Sequence, residues 1–207
     1  MTHPLETLLA DAADGVFPPA DGSTLVTGPP PGRAWAVAAF TAFHVVASGI
    51  PEDEVRDRLD PDDLASAALP PFLDWMAERS GRTAGVFDMT LAALGTGAGA
   101  DLERIDDPGH PRVARALRFR DEVEVYRDGP GTLILGRGLA LRREASAEVD
   151  RDARGAGIGR RLVRAAIDLT PQGEPIFAQV APGNAASVRA FLAAGFRPIG
   201  GEILFMP

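Results

Sequence analysis

The stretch Val149-Asp150-Arg151-Asp152-Ala153-Arg154-Gly155-Ala156-Gly157-Ile158-Gly159 decides the fold of this chain. It joins a short apolar strand pattern, residues 145–149, to an amphipathic helix pattern over residues 157–169. Its three glycines let the backbone approach a ligand closely. The helix start offers free N–H groups and the positive end of the helix dipole. We therefore predict a site for a phosphate-bearing anion at this junction.

Spacing separates the known phosphate-binding templates. The P-loop requires lysine, and the chain contains none. The dinucleotide fingerprint G-x-G-x-x-G requires glycine or alanine three positions after Gly157, where Arg160 stands. The pattern present is R-x-x-G-x-G, from Arg154 to Gly159, with Val149 five residues upstream. It resembles the pyrophosphate loop of the GNAT acetyltransferase superfamily, whose loop amides hold the diphosphate of acetyl-coenzyme A.

A second segment, residues 184–196, has the marks of a capped helix. Asn184 suits the N-cap, and Gly195 suits the left-handed position that ends a helix. Val188, Phe191 and Leu192 recur at helical spacing and predict a buried stripe. The segment resembles the second GNAT signature, an asparagine-led helix that closes on Gly-Phe and contacts the pantetheine and adenosine parts of the cofactor.

The resemblance implies an α/β fold with a central mixed sheet flanked by helices. It also implies acyl transfer from acetyl-CoA to an amine by direct attack on the thioester, with a small-molecule or peptide amine as acceptor. The implied cofactor-binding residues are Val149, Arg154, Gly155, Ala156, Gly157, Ile158, Gly159, Arg160, Asn184 and Ser187.

The catalytic residues depart from the family pattern. Phe191 stands where the family has a tyrosine acid, and Arg143 stands where it often has a glutamate base. Because a thiol pKa of about 8.5 makes thiolate a fair leaving group, the missing acid is tolerable. We favour Glu144 as the base, although a regular strand turns it to the other face. A water chain or an acid from the N-terminal half is an equal alternative.

Two other classes of function are open from the sequence. The missing tyrosine and glutamate are compatible with a GNAT fold that binds acyl-CoA without turnover, as a sensor or interaction module. Residues 95–100 fit G-x-G-x-x-A with Asp121 downstream, but the breaker at residues 106–111 leaves no room for the long helix of a dinucleotide site. We expect a flexible glycine-rich loop there.

Composition narrows the remaining classes. The 207 residues are 45% hydrophobic, contain no cysteine and have three scattered histidines, so neither a disulfide nor a metal site is expected. Residues 1–110 hold 6 arginines against 18 acids, and residues 111–207 hold 15 against 11. This uneven charge argues against nucleic-acid binding. No apolar stretch is long enough to span a membrane, and we expect a cytoplasmic protein. The oligomeric state is not encoded in any visible pattern.

The first half of the chain contains fewer recognisable sequence patterns. We predict an N-terminal extension over residues 1–82, lining the acceptor site or forming a degenerate strand–helix–strand copy over 33–95, and a GNAT-like acetyl-CoA-binding domain over 83–207. Residues 11–32 read as loop, and 35–46 as one strand. Strand 84–94, a helix over 112–120 and a hairpin over 122–141 then precede the motif strand, in GNAT order.

Overall fold

A computed structural model describes residues 2–207 and shows an eleven-stranded mixed sheet flanked by helices on both faces. The helices are α1 Pro4–Ala13, α2 Glu52–Arg56, α3 Pro70–Ser80, α4 Pro111–Phe119, α5 Ile158–Asp168 and α6 Ala185–Ala194. The strands are β1 Thr24–Thr27, β2 Trp35–Phe40, β3 Phe43–Ala47, β4 Thr83–Ala84, β5 Asp88–Leu94, β6 Glu103–Ile105, β7 Asp121–Asp128, β8 Gly131–Arg137, β9 Arg143–Val149, β10 Pro175–Val180 and β11 Arg197–Met206.

The spatial order of the strands is β1-β3-β2-β11-β5-β10-β9-β8-β7-β6, with β4 added on β11. The pairs β1–β3 and β9–β10 are parallel, and the other pairs are antiparallel. The α/β fold with a central mixed sheet, expected from the sequence, is thereby confirmed.

Side chains alternate between two faces of this sheet. The front face carries α5 and α6 over Leu133, Leu91 and Ile176, and α2 and α3 over Val37 and Phe205. The back face carries α1 and α4, the first over Ala92 and Phe177 and the second over Ile134. Residues directly opposite in neighbouring strands share a face, so the register fixes which side chains meet on each side.

Several sequence predictions need correction. Residues 35–46 form the hairpin β2–β3 rather than one strand, with Ala42 in the left-handed region at its turn (φ 48°). Residues 11–32 include β1, and the sequence did not predict α1 or β11. The strand that precedes α2 and α3 is β3, which runs antiparallel to β5. Residues 33–95 are therefore not a parallel strand–helix–strand copy.

The strand predicted over residues 84–94 forms as two strands, β4 and β5. The sequence did not predict the position of β5 within the sheet. β5 lies between β10 and β11, whereas the strand that pairs with β7 at the edge of the sheet is the short β6. The sheet is continuous across residue 82, because β2 and β4 both pair with β11. The domain division at residue 82 stays a prediction.

Candidate acetyl-CoA site

The strand–helix–strand unit around the glycine-rich stretch forms as its pattern predicts. β9, α5 and β10 occupy nearly the predicted bounds, with β9 and β10 parallel. Helix α5 forms because its apolar positions fall on one side: Leu162 and Ala166 are fully buried against the sheet. Its arginines occupy the opposite side and are exposed. This amphipathic packing fixes the direction in which the helix start points.

The loop before α5 is shaped by two glycines. Gly155 (φ 87°) and Gly157 (φ 79°) are both left-handed, and open space surrounds the position of a Cβ at each. Gly157 is the N-cap of α5 and has no side chain to accept a bond from the first-turn N–H groups. Those donors and the helix dipole therefore face an open, exposed cradle, which fits the diphosphate of acetyl-CoA.

The predicted loop residues lie together around this cradle. The Arg154 guanidinium donates to the Val149 carbonyl over 3.2 Å, which ties the loop back to the end of β9. Ile158 is buried beneath the helix start, and Gly159 approaches Val149, with 3.6 Å from the position of a Cβ to the valine side chain. Ala156 is exposed at the tip of the loop.

Beside the loop, β9 and β10 separate. Their pairing covers only Arg143–Ile176 and Glu144–Phe177, whereas β9 stays paired with β8 to Val149 and β10 stays paired with β5 to Val180. We call the gap between residues 145–149 and 178–180 the wedge. Alternate backbone N–H and C=O groups along a strand point to each side, so β9 offers unpaired donors to the wedge.

Helix α6 begins and ends as predicted. The Asn184 side chain accepts a bond from the Ser187 N–H over 3.2 Å, and Gly195 (φ 109°) ends the helix. Phe191, in the position of the family tyrosine, is buried and packs edge-on against Phe196 with ring centroids 4.9 Å apart. The Asn184 oxygen and the Ser187 amide thus stabilise the helix, and the roles predicted for both residues toward the cofactor stay predictions.

Three arginines follow the loop on the exposed side of α5, lining a groove of about 560 Å³. Arg161 pairs with Asp128 at 2.9 Å, and Arg164 pairs with Asp168 at 3.2 Å. Arg160 alone of the three has no carboxylate within 4 Å among residues 2–207. Its charge next to the open helix start favours contact with an anion there.

Glu144, the favoured base, lies in a buried ion network on the back face. It is 2% exposed and accepts bonds from Arg120 and Arg142, each over 2.9 Å. Arg142 in turn binds Glu202, and the Gln179 amide donates to both glutamates. Burial alone would raise the pKa of Glu144, but Arg142 and Arg120 outweigh it and hold the pKa below its ordinary value. These surroundings favour a structural role for Glu144 rather than proton transfer.

The loop over residues 95–100 is anchored at two of its glycines, while residues 96–99 are exposed. The Gly95 and Gly97 N–H groups donate to the carbonyls of Glu174 and Thr170 over 2.8 and 2.9 Å. A Cβ at Gly95 would overlap the Pro171 carbonyl oxygen. The short strand β6, not a helix, follows this loop. The glycine-rich loop expected from the sequence is present and its flexibility stays a prediction, whereas the dinucleotide alternative lacks the long helix it requires within residues 2–207.

A second cavity of about 390 Å³ lies near the ends of β5 and β10. Its lining is mainly apolar and includes Phe17, Phe87, Met89, Pro182 and Ile199. Phe17 and Phe87 are about half exposed, which is unusual for aromatic side chains. No local sequence pattern predicts this cavity, because Phe17 and Ile199 lie far apart in the chain.

Comparisons with known proteins agree with these motifs. Residues 139–196 match the model of the acetyltransferase (GNAT) family. This span contains the loop, the wedge and α6, so the resemblance to the GNAT superfamily is confirmed there. Acyl transfer from acetyl-CoA is the general kind of reaction in this family. No curated protein matches the chain.

Three solved structures are similar to this chain. A protein assigned to the GNAT family from Novosphingobium aromaticivorans is 17% identical (TM-score 0.43, 60% of this chain and 66% of that one). A GNAT-family acetyltransferase from Colwellia psychrerythraea is 16% identical (0.35, 66% and 62%). A GCN5-related N-acetyltransferase from Kribbella flavida is 13% identical (0.39, 66% and 64%). The chain thus covers just under two thirds of the length of each.

Among residues 2–207, no helix is long and apolar enough to cross a membrane. The same residues contain no group of three or more histidine, aspartate or glutamate side chains that could hold a metal ion.

Proposed function

We propose that this protein transfers the acetyl group of acetyl-CoA to an amine. The observation that carries the proposal is the open cradle at Gly155 and Gly157, which joins an uncapped helix start to the wedge. A diphosphate on the loop and an extended pantetheine along the unpaired strand edges would satisfy both sets of backbone groups.

The protein has three tasks in such a reaction. It must hold the donor, orient the thioester carbonyl toward an N–H group, and accept a proton from the amine. The loop serves the first task, and the free backbone of β9 near residues 147–149 serves the second. The acceptor is a small molecule or a peptide amine in this proposal, and the cytoplasmic location stays a prediction.

Gly157→Asp tests the cradle. The carboxylate would lie against the bound diphosphate, so we expect loss of acetyl-CoA binding by isothermal titration calorimetry. Gly173→Asp is the matched control, because Gly173 has the same φ of 79° and the same open space for a side chain. Both variants carry the same backbone strain, and only the first places charge in the cradle. Normal binding by Gly157→Asp would contradict the loop assignment.

The alternative, an acyl-CoA-binding module without turnover, is favoured by Phe191 in the position of the family tyrosine. Release of CoA in the presence of a panel of amines separates the two functions. Tight binding of acetyl-CoA with no release on any amine would establish the module. Thermal stabilisation by NAD and none by acetyl-CoA would overturn both.

A further inference from the structure

An acceptor can approach the wedge from only one face of the sheet, the back face. Helices α5 and α6 pack together over the front face, where the loop holds the donor. On the back face, α4 packs over β7 and β8, and α1 packs toward β11 and β5. An amine therefore reaches a thioester in the wedge from the back face, between these two helices.

On this basis, which rests on the proposed function, we propose that the acceptor ammonium binds at the open end of the wedge on the back face, with Asp88 as the group that takes its proton. Asp88 is the first residue of β5 and lies opposite Glu202 of β11. It therefore shares the back face with Glu202 and Glu144. Neither the sequence motifs nor the family match assigns it a role.

Asp88 differs from Glu144 and Glu202 on the back face in having no ion pair with any of residues 2–207. Glu202 is engaged by Arg142, Gln179 and the Thr90 hydroxyl. Glu144 is engaged by arginines in the same network. Asp88 is half-buried and has no ion pair within 4 Å among residues 2–207. Partial burial of a charged carboxylate without a counter-ion costs free energy, and a cation bound beside it lowers that cost. An ammonium group supplies such a cation.

The strand register places Asp88 level with the open end of the wedge. Met89 lies opposite Val180, so Asp88 lies one step beyond the end of β10, at the mouth of the wedge. On the other side, Glu148 of β9 shares the back face and faces Arg112 at 3.9 Å. Two strand spacings separate β5 from β9, roughly 10 Å before the strands diverge. This gap leaves room for an amine between Asp88 and a thioester on β9.

The local charges agree with this role. Burial, and then the nearby charge of Glu202, raise the pKa of Asp88, while Arg115 on α4 opposes them. A raised pKa brings a carboxylate closer to the value that suits a base at neutral pH.

The reaction consumes an ammonium group and a thioester and yields an amide and a thiol. The ammonium group gives one proton to the Asp88 carboxylate, and the free amine attacks the thioester carbonyl carbon. The new C–N bond forms, the C–S bond breaks, and its electron pair leaves with sulfur as the CoA thiolate. The nitrogen then loses a second proton, which reaches the thiolate and gives the thiol. Asp88 returns its proton to solvent.

Asp88→Asn tests this assignment, with Asp88→Glu as the conservative variant and Asp62→Asn as an exposed, remote control. CoA release is measured for phenethylamine, spermidine, L-lysine and glycylglycine from pH 6 to 10, and acetyl-CoA binding is measured by calorimetry. We expect Asp88→Asn to bind acetyl-CoA normally but to lose about a hundredfold or more in kcat/KM at pH 7. The loss should shrink as the pH approaches the amine pKa, where the free amine no longer needs a base. Asp88→Glu should retain part of the activity.

The outcomes separate the two proposals. If the wild-type protein turns over an amine and Asp88→Asn does so equally well, the role of Asp88 is refuted and the transferase function stands. An equal loss at every pH would make Asp88 a structural residue and would also refute the role. If the wild-type protein binds acetyl-CoA but releases CoA with none of the amines, the transferase function itself fails, and the role of Asp88 fails with it.

Discussion

Replacing Glu144 by glutamine would remove the central charge of the back-face ion network. The Glu144 carboxylate accepts bonds from Arg120, Arg142, the Leu139 N–H and the Gln179 amide. A glutamine of nearly the same shape offers one oxygen, and its NH₂ group would face guanidinium donors. The variant therefore keeps the packing and removes the electrostatic complement of two buried cations.

The size of the effect follows from those contacts. A hydrogen bond to a charged group contributes about 1.5–3 kcal/mol, and Glu144 accepts one from each arginine. Arg142 keeps Glu202 as a partner, which reduces the loss. We expect a decrease of about 3–4 kcal/mol in the free energy of unfolding, in line with the breaking of a buried ion pair. With about 2–4 °C of Tm per kcal/mol in a chain of this size, Tm should fall by roughly 10 °C.

The assay is thermal and urea unfolding by circular dichroism at pH 7. Glu174→Gln is the matched control, because Glu174 makes one partly exposed pair with Arg137 at 2.9 Å, and surface pairs contribute about 1 kcal/mol or less. Activity per folded molecule should be near that of the wild type. A Glu144→Gln variant with unchanged Tm but abolished turnover would refute the structural role and restore Glu144 as the base.

Two further perturbations act on the same face of the sheet. A Cβ at Gly138 would overlap the Glu144 carboxyl group, so Gly138→Ala should destabilise by about 1–3 kcal/mol in urea unfolding, whereas Gly28→Ala, with open space around it, should not. A Gly138→Ala variant with unchanged stability would contradict this prediction and would show that the ion network around Glu144 can shift at little cost in free energy. Because the pKa of Asp88 is raised in the folded protein, its ionisation opposes folding above that pKa. Asp88→Asn should therefore raise Tm slightly at pH 7, and this gain should vanish below about pH 3.9, where Asp88 is protonated in both states; a gain that persists at pH 3 would contradict this reasoning.

The sequence predicted the glycine-rich loop and the capped helix α6 because both are local, and the binding roles of their residues stay predictions. The loop, its left-handed glycines and the Asn184 cap depend on residues a few positions apart, so spacing and residue type determine them. The β2–β3 hairpin was missed because its turn at Ala42 has none of the Gly or Asn residues that usually mark such turns. The apolar run of residues 35–46 concealed the break.

The acceptor half depends on strand order, which no local pattern encodes. Asp88 and Glu202 are 114 positions apart in the chain and become neighbours because β5 lies between β10 and β11. That placement brings an acid from the middle of the chain to the mouth of a wedge built from its last third. An acid from the N-terminal half was one of the alternatives open from the sequence, and strand order is the physical means by which such an acid would reach the proposed donor site. A base contributed by a different strand need not occupy the position where the family usually carries its glutamate. Arg143 at that position is therefore compatible with a working transferase.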